Sequence, residues 1–311
     1  MLVSVIITTF NSAEFIERSL TSVLEQSYKN IEIIVVDDNS KDNTLDILKA
    51  YEDKIKVIKK EKNLGPANSR NLGIMSCNGD LISFLDADDY WKKKKINEQV
   101  KYAKQYPDIN IFSNNVLSIS KNIILSKRFS SKKIFKNKYQ TSGIVLNYID
   151  KSGRYSFHPP SAVMIRKKVF TNHGMYNEDL KSVEDSELIL RWIILGEKIY
   201  YNDEALVFYE VSNQQSLTKN LTLWSQNHFK YWFNFNCDNL NDVTKKKFIK
   251  MRKNTLLQSI LVILKRGDNS LARKYLFSFY SNLLGIKWIL LMIISLFPIK
   301  YFIKLYKKIL K

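Results

Sequence analysis

Residues 4–44 read SVIITTFNSAEFIERSLTSVLEQSYKNIEIIVVDDNSKDNT, and this stretch decides the fold class. The apolar run Val3–Ile7, in which it begins, is typical of a parallel strand buried on both faces. From Ile16 onward apolar side chains recur at helical intervals, and a β-branched run, Ile31–Val36, then leads into Asp37-Asp38. The stretch therefore predicts one strand–helix–strand unit.

The same alternation continues over the next fifty residues. Ile55–Ile58 has the composition of a third strand, Gly65-Pro66 opens a helix, and a fourth strand, Leu81–Leu85, leads into Asp86-Ala87-Asp88-Asp89. Strand and helix repeated at this spacing predict an α/β fold with an open, mostly parallel sheet and helices on both faces. Ligands of such sheets bind at the carboxyl ends of the strands, which is where the acidic residues lie.

The chain divides by composition into two predicted domains. Residues 1–215 form the predicted α/β domain, with a first half over 1–90 and a second half over 91–215, and residues 216–311 form a helical C-terminal extension. Near its end, the uncharged, mostly apolar run Trp288–Ile299 is followed by five lysines. Because a bilayer span needs ~20 apolar residues, this run favours an amphipathic anchor on an anionic membrane surface. A buried helix and a tilted span are the alternatives.

Composition and charge narrow the class of protein. The 311 residues carry 49 basic and 30 acidic side chains, a net charge of +19 that favours anionic partners. Lysine dominates this excess, 40 to nine arginines, which disfavours sequence-specific reading of nucleic acid by arginine forks. Cys77 and Cys237 form no Cys-x-x-Cys pair, so neither a disulfide framework nor a zinc site is expected. A reducing, cytoplasmic compartment without a signal peptide is the default expectation.

Acidic and basic residues at the predicted strand ends could carry chemistry. Asp86 and Asp88 stand two apart, so both carboxylates could face one cation, and Mg²⁺ and Mn²⁺ prefer oxygen ligands. Capping of the next helix is the alternative for this acidic turn. Asp38 could accept a hydrogen bond from a nucleotide or cap the following helix. Arg70 could bind phosphate or be an ordinary surface arginine with a packed stem.

Further motifs follow in order along the chain. They are NLGPANSRNLGI at residues 63–74, GDLISFLDADDYW at residues 79–91 and SVEDSELILRW at residues 182–192. With residues 4–44, they make positions 2–215 resemble the family 2 inverting glycosyltransferases with a GT-A fold, of the bacterial surface-polysaccharide type. The resemblance implies that residues 1–90 bind a nucleotide and that residues 91–215 receive the acceptor.

The resemblance also implies roles on the donor side. Thr8, Phe10 and Asp38 would line the nucleobase pocket, and Asp86 would lie near the ribose of the donor. Arg70 would lie near the donor, Ala87 would help to bind it, and Asp88 would bind Mn²⁺ or Mg²⁺. Thr8 stands where many members have proline. Phe10 replaces the commoner tyrosine, which removes a hydroxyl but keeps the stacking surface.

On the acceptor side, the resemblance places the catalytic base at Asp185, next to Glu184. Inverting transfer needs such a base, because the acceptor hydroxyl must lose its proton as it attacks the anomeric carbon. The alternative for this acidic pair is a favourable first helical turn. His158 is a weaker acceptor-side candidate, since a loop histidine without a partner is more often structural. Trp91, which follows the acidic turn, could line the sugar pocket.

These expectations combine into one predicted function. The chain would transfer a hexose or N-acetylhexosamine from a UDP-sugar to a lipid-linked glycan, in O-antigen or capsule synthesis at the cytoplasmic face of the membrane. Nucleotidyl transfer is an alternative, but it expects a glycine-rich loop that Thr8–Ser12 lacks. A basic nucleic-acid-binding protein is another, but it leaves the carboxylates unexplained, so no nucleic-acid partner is expected.

Overall fold

The computed structural model describes residues 1–127, 142–145, 159–213, 223, 225–227, 230–231, 242–265 and 268–278. His158 and the predicted membrane anchor at 288–311 lie outside these residues. The chain divides into two compact units, of which the first comprises residues 1–148 and 156–214. The predicted domain boundary at residue 215 and the division of the first domain at residue 90 stay predictions.

Ten strands of the first unit form one sheet. They are β1 Val3–Thr9, β2 Ile31–Asp37, β3 Lys56–Lys59, β4 Leu81–Asp86, β5 Tyr90–Trp91, β6 Ile111–Ser120, β7 Ile123–Lys127, β8 Ser142–Val145, β9 Val163–Arg166 and β10 Ile199–Glu210. Their order is β3-β2-β1-β4-β9-β6-β10-β5, with β7 beside β6 and β8 beside β10.

Six helices accompany the sheet in the described part of this unit. They are α1 Ile16–Leu24, α2 Thr44–Lys49, α3 Pro66–Ser76, α4 Lys95–Gln105, α5 Lys167–His173 and α6 Glu184–Ile194. The helices cover both faces of the sheet. Successive side chains of a strand point to opposite faces, so neighbouring residues of β1 pack against different helices. Val5 and Ile7 of β1 belong to one core with α1 and α4. Ile6 faces α3 on the other side, where a Cβ at Gly73 would lie 2.4 Å from Ile6 Cγ2.

The predicted α/β sheet is confirmed, and its longest parallel run is β3-β2-β1-β4. Beyond β4 the sheet is mixed, because β9 pairs antiparallel with both β4 and β6, while β6 and β10 run parallel. The sheet is therefore less parallel than the sequence predicts. Its parallel half carries the carboxyl ends of β1, β2 and β4 at one edge.

The second unit is described in part. It contains α7 Asp242–Lys265 and α8 Asn269–Ser278, which pack against each other. Both lie within the extension that the sequence predicts to be helical. Within the described parts of the chain, no helix combines the length and the apolar character needed to cross a membrane.

Candidate active site

Three strand ends meet at one edge of the sheet. β1 lies between β2 and β4, and Thr8 pairs in register with Val36 and Asp86. The Thr8 hydroxyl donates to the Asp86 carboxylate (Oγ1 to Oδ1, 3.4 Å), and the Ala87 N–H donates to the Thr8 carbonyl at 3.2 Å. The structure thus brings together three of the predicted donor-side residues, Thr8, Asp86 and Ala87.

Asp38 lies at the same edge, one residue after β2, and its N–H donates to the Thr9 carbonyl at 2.8 Å. Its buried carboxylate accepts from Lys60 Nζ at 2.5 Å and from the N–H groups of Leu64 at 2.9 Å and Gly65 at 2.8 Å. Asp38 therefore holds the loop that leads into α3, and the alternative that it caps α2 is wrong. Its contact with a nucleobase stays a prediction.

The predicted site residues Phe10, Trp91 and His158 differ in where the structure places them. The Phe10 ring is 42% exposed just beyond β1, where it could stack on a base. Trp91 is buried in the core, its indole N–H donates to the Ser161 carbonyl at 2.8 Å, and Lys95 Nζ lies 3.7 Å from the ring centroid. This position gives no support to an acceptor contact for Trp91. His158 lies outside the described residues.

Arg70 on α3 is the centre of a buried ion-pair cluster. Its guanidinium donates to Asp86 Oδ1 at 2.8 Å, Glu184 Oε1 at 2.9 Å and Asp185 Oδ1 at 3.0 Å. The guanidinium carbon also lies 5.4 Å from the centroid of the Tyr176 ring. Since Arg70 is 3% exposed, the surface-arginine alternative is wrong. The cluster joins the predicted nucleotide-binding half to the predicted acceptor half.

One cation faces three carboxylates in this cluster, which shifts the pKa values of its members. Burial raises the pKa of Asp185 well above its ordinary value, Arg70 opposes this shift, and Glu184 and Asp86 add to it. Burial alone would lower the pKa of Arg70, but Asp185, Asp86 and Glu184 raise it well above its usual range. Arg70 therefore stays charged and favours the ionised form of Asp185.

Glu184 and Asp185 begin α6, so both lie in its first turn. Val183, immediately before them, has φ of 66° in the left-handed region, where a β-branched residue is an outlier. Acidic residues at a helix N-terminus interact favourably with its dipole, so the first-turn alternative describes part of their environment. The buried contact with Arg70 shows that this is not their whole environment.

The three carboxylates of the acidic turn after β4 have different hydrogen-bond partners. Asp86 binds Arg70, and Asp88 Oδ2 accepts from Asn213 Nδ2 at 2.8 Å. Asp89 is buried and accepts from Ser161 Oγ at 2.6 Å and from the N–H of Glu210 at 3.0 Å. Asp88 thus remains the candidate metal ligand, while Asp89 fastens the turn to the rest of the unit.

The negative charge of Asp88 bears on whether this turn fits a divalent cation. Burial raises the pKa of Asp88 to about 6, the nearby Asp86 adds to the shift, and Asn213 opposes it. A cation would offset this unfavourable negative charge. Among the described residues no cluster of three or more His, Cys, Asp or Glu side chains could enclose a metal. Because Mg²⁺ usually takes one or two carboxylates plus substrate phosphates, Asp88 fits a cation held jointly with a diphosphate.

Sequence reasoning missed several residues that shape this site. Lys60, Tyr176 and Glu210 lie outside the quoted motifs, and Arg18 lies within residues 4–44 but was given no role. The contacts of these four residues to Asp38, Arg70 and the acidic turn are long-range. Asp89 had a visible signal, since it stands next to Asp88 in the acidic turn.

Comparison with known proteins gives consistent matches. The model of the family described as "Glycosyl transferase family 2" matches residues 4–173. The uncharacterized glycosyltransferase RT0329 of Rickettsia typhi is 30% identical over 271 residues, which cover 86% of this chain and 80% of that protein. The enzyme WfaP of Escherichia coli, "UDP-Glc:alpha-D-GlcNAc-diphosphoundecaprenol beta-1,3-glucosyltransferase", is 39% identical over 131 residues, 42% of this chain and 51% of WfaP.

Solved structures confirm the predicted GT-A fold. S. aureus TarS residues 1–349 in complex with UDP has a TM-score of 0.62 and 22% identity, covering 91% of this chain and 88% of that one. The same TarS fragment in complex with UDP-GlcNAc has a TM-score of 0.64 and 20% identity over the same shares. The mannosyltransferase PcManGT from Pyrobaculum calidifontis, in complex with GDP-Man and Mn²⁺, has a TM-score of 0.59 and 14% identity, covering 94% and 83%.

Proposed function

Because the chain belongs to glycosyl transferase family 2 and is a glycosyltransferase, we propose that it transfers a hexose or N-acetylhexosamine from a UDP-sugar to a lipid-linked glycan. Transfer would invert the anomeric configuration and use Mn²⁺ or Mg²⁺. We place the reaction in bacterial surface-polysaccharide synthesis, such as that of O-antigen or capsule.

One observation carries this proposal: Arg70 contacts Asp86 of the donor side and Asp185 of the acceptor side at the same time. The donor diphosphate would lie beside Asp86 and Asp88 at the strand edge. The acceptor hydroxyl would approach from Asp185. The cluster therefore supports one site in which the donor side and the acceptor side meet, and inversion would place the base and the leaving diphosphate on opposite sides of the sugar carbon.

Asp185 would act as the general base. Its carboxylate takes the proton of the acceptor hydroxyl, the hydroxyl oxygen bonds to the anomeric carbon, and the carbon–oxygen bond to the diphosphate breaks to release UDP. Burial raises the pKa of Asp185, which strengthens it as a base, and Arg70 opposes this shift and so favours the ionised form that accepts the proton. Glu184 shares Arg70 and would orient the pair.

Asp88 would hold the cation, with the diphosphate oxygens and water as the remaining ligands. A bound Mn²⁺ or Mg²⁺ supplies electrostatic stabilisation of the charge that develops on the departing diphosphate. The Mn²⁺ in the PcManGT complex supports this choice of cofactor. Thr8, Phe10 and Asp38 would surround the nucleobase, with Ala87 and Asp86 near the ribose.

The relatives support the proposed substrate class. TarS binds UDP and UDP-GlcNAc, and the printed name of WfaP gives UDP-glucose and a diphosphoundecaprenol-linked acceptor. These names support a uridine donor and a lipid-linked acceptor for this chain. The basic residues after Ile299 support peripheral attachment to the cytoplasmic face of an anionic membrane.

A donor screen tests the proposal. Purified full-length protein is incubated with Mn²⁺, a lipid-pyrophosphate-linked sugar and each of a panel of UDP-, GDP- and dTDP-sugars, and release of the nucleoside diphosphate is measured. We expect release from one or a few UDP-sugars, dependent on the acceptor and abolished by EDTA. Release from GDP- or dTDP-sugars alone would refute the uridine donor, and full activity in EDTA would refute the metal.

A further inference from the structure

Arg18 on α1 contacts the main chain of the acidic turn. Its guanidinium donates to the main-chain carbonyl of Asp88 at 3.0 Å, to Asn122 Oδ1 at 2.8 Å and to Glu210 Oε2 at 3.4 Å. The guanidinium carbon also lies 4.5 Å from the centroid of the Tyr90 ring. Arg18 therefore joins four segments of the first unit around the main chain of the candidate metal ligand.

Glu210, at the end of β10, completes the arrangement. Its N–H donates to Asp89 Oδ1 at 3.0 Å, and its Oε1 accepts from the N–H of Ser212 at 3.0 Å and from Ser212 Oγ at 2.7 Å. The next residue, Asn213, donates to the Asp88 carboxylate. Thus Arg18 and Glu210 together fasten the acidic turn and the short segment that faces it.

We propose that Arg18 is a positioning residue for the cation site. Its planar fork fixes the main chain of Asp88, and this orients the Asp88 carboxylate toward the cation that also binds the donor diphosphate. This role rests on the proposed function, because it requires a cation at Asp88. Arg18 itself touches neither the cation nor the substrate.

The charge of Arg18 and its positioning role have opposite effects on metal binding. A positive group near a cation site repels the cation, so its removal would tighten metal binding if charge were its only effect. Glu210 offsets this repulsion, since its side chain is 1% exposed and pairs with Arg18. The hydrogen bond to the Asp88 carbonyl then dominates, and loss of Arg18 weakens metal binding. Charge and positioning thus predict opposite signs.

The experiment measures UDP affinity by isothermal titration calorimetry, once with Mn²⁺ and once with EDTA, on the full chain. The variants are Arg18→Gln, which removes the charge and most of the fork, and Arg18→Lys, which keeps the charge. Loss of a group that orients a metal ligand typically weakens metal affinity by about 10–100-fold. We expect Arg18→Gln to lose about tenfold or more of the Mn²⁺-dependent part of the affinity, with the EDTA value unchanged.

Arg166→Gln is the matched control. Arg166 also donates to main-chain carbonyls, those of Ala103 at 2.6 Å and Ile109 at 2.9 Å. It pairs in register with Leu81, at the end of β4 remote from Asp86. Arg166→Gln should therefore change stability while leaving the effect of Mn²⁺ on UDP affinity as in the wild type.

The outcomes separate the two proposals. A wild-type UDP affinity that is equal in Mn²⁺ and EDTA would refute the cation of the proposed function, and Arg18's role with it. A metal-dependent wild type with Arg18→Gln equal or tighter would refute the positioning role alone. If Arg18→Gln does not fold by circular dichroism, Arg18→Lys decides, because an ammonium lacks the fork: weaker Mn²⁺-dependent binding supports the proposal, and wild-type binding overturns it.

Discussion

Arg70 donates to the Asp185 carboxylate at 3.0 Å, although the two residues are 115 positions apart in the chain. The same guanidinium donates to Asp86, so one buried side chain links the two sides of the proposed reaction centre. This coupling shapes the mutational predictions, because stability and catalysis share the cluster.

Asp185→Asn should reduce transfer by about 10²–10⁴-fold, the usual contribution of a general base, while UDP affinity stays close to that of the wild type. The amide keeps the shape of the side chain but cannot take the acceptor proton. Product formation and UDP binding are measured on the same preparation. Asp179→Asn, an exposed acid in the segment before α6, is the matched control. Unchanged turnover in Asp185→Asn would remove this residue from the mechanism.

Asp88→Ala should abolish the increase in UDP affinity that Mn²⁺ provides, because the predicted protein ligand of the cation is lost. The residual affinity should equal that of the wild type in EDTA, since contacts to the nucleobase are unaffected. Calorimetric titrations with and without Mn²⁺ measure both values. Asp53→Ala, at an exposed position, serves as control. Persistence of the Mn²⁺ effect in Asp88→Ala would show that another group binds the metal.

Arg70→Gln should lower the free energy of unfolding by about 3–5 kcal/mol, the cost of leaving buried charges without their partner. Three carboxylates would then face one another without a cation, and the Arg70 side chain that now neutralises them is 4% exposed. Denaturant unfolding followed by circular dichroism measures the change. Arg273→Gln, which loses one contact to the Asn269 carbonyl, should cost less than about 1 kcal/mol. A similar small loss for both variants would contradict the prediction.

Glu32 should stabilise the fold in a pH-dependent way. Although burial alone would raise its pKa, hydrogen bonds from Ser4, Asn78 and Gly79 lower it below the ordinary value of 4.5. A lowered carboxyl pKa stabilises the folded state above the unfolded pKa, and this contribution is lost as the pH falls through the folded one. The melting temperature of the wild type should therefore exceed that of Glu32→Gln at neutral pH, and the difference should shrink below pH 4.5. A constant difference would contradict this assignment.

Deletion of residues 285–311 should release the protein from membranes, since the predicted anchor lies there. Fractionation of cells and co-sedimentation with anionic vesicles measure the effect. A second variant changes the five lysines after Ile299 to glutamine and keeps the apolar run. It should weaken binding to anionic vesicles while the effect of salt disappears. Complete membrane retention of the deletion variant would defeat the anchor.

Several parts of the site could be foreseen from local pattern. Apolar runs marked β1, β2 and β4, and the polar residues that end them lie together because neighbouring parallel strands end at one edge. Asp38 and Trp91 show where this reasoning stops. A pattern of residue types did not reveal that Lys60 would bind Asp38 or that Trp91 would be enclosed by the core.

The sequence by itself determined the alternation of strands and helices, the family and the residue types at the strand ends. The tertiary structure alone decided that Arg70 is buried among three carboxylates, that β9 lies between β4 and β6 to make the sheet mixed, and that Arg18 holds Asp88 from behind. The physical reason is the separation along the chain of the residues that interact. Periodicity records which side of a local segment is buried, whereas strand pairing and buried ion pairs depend on segments that meet only when the chain folds.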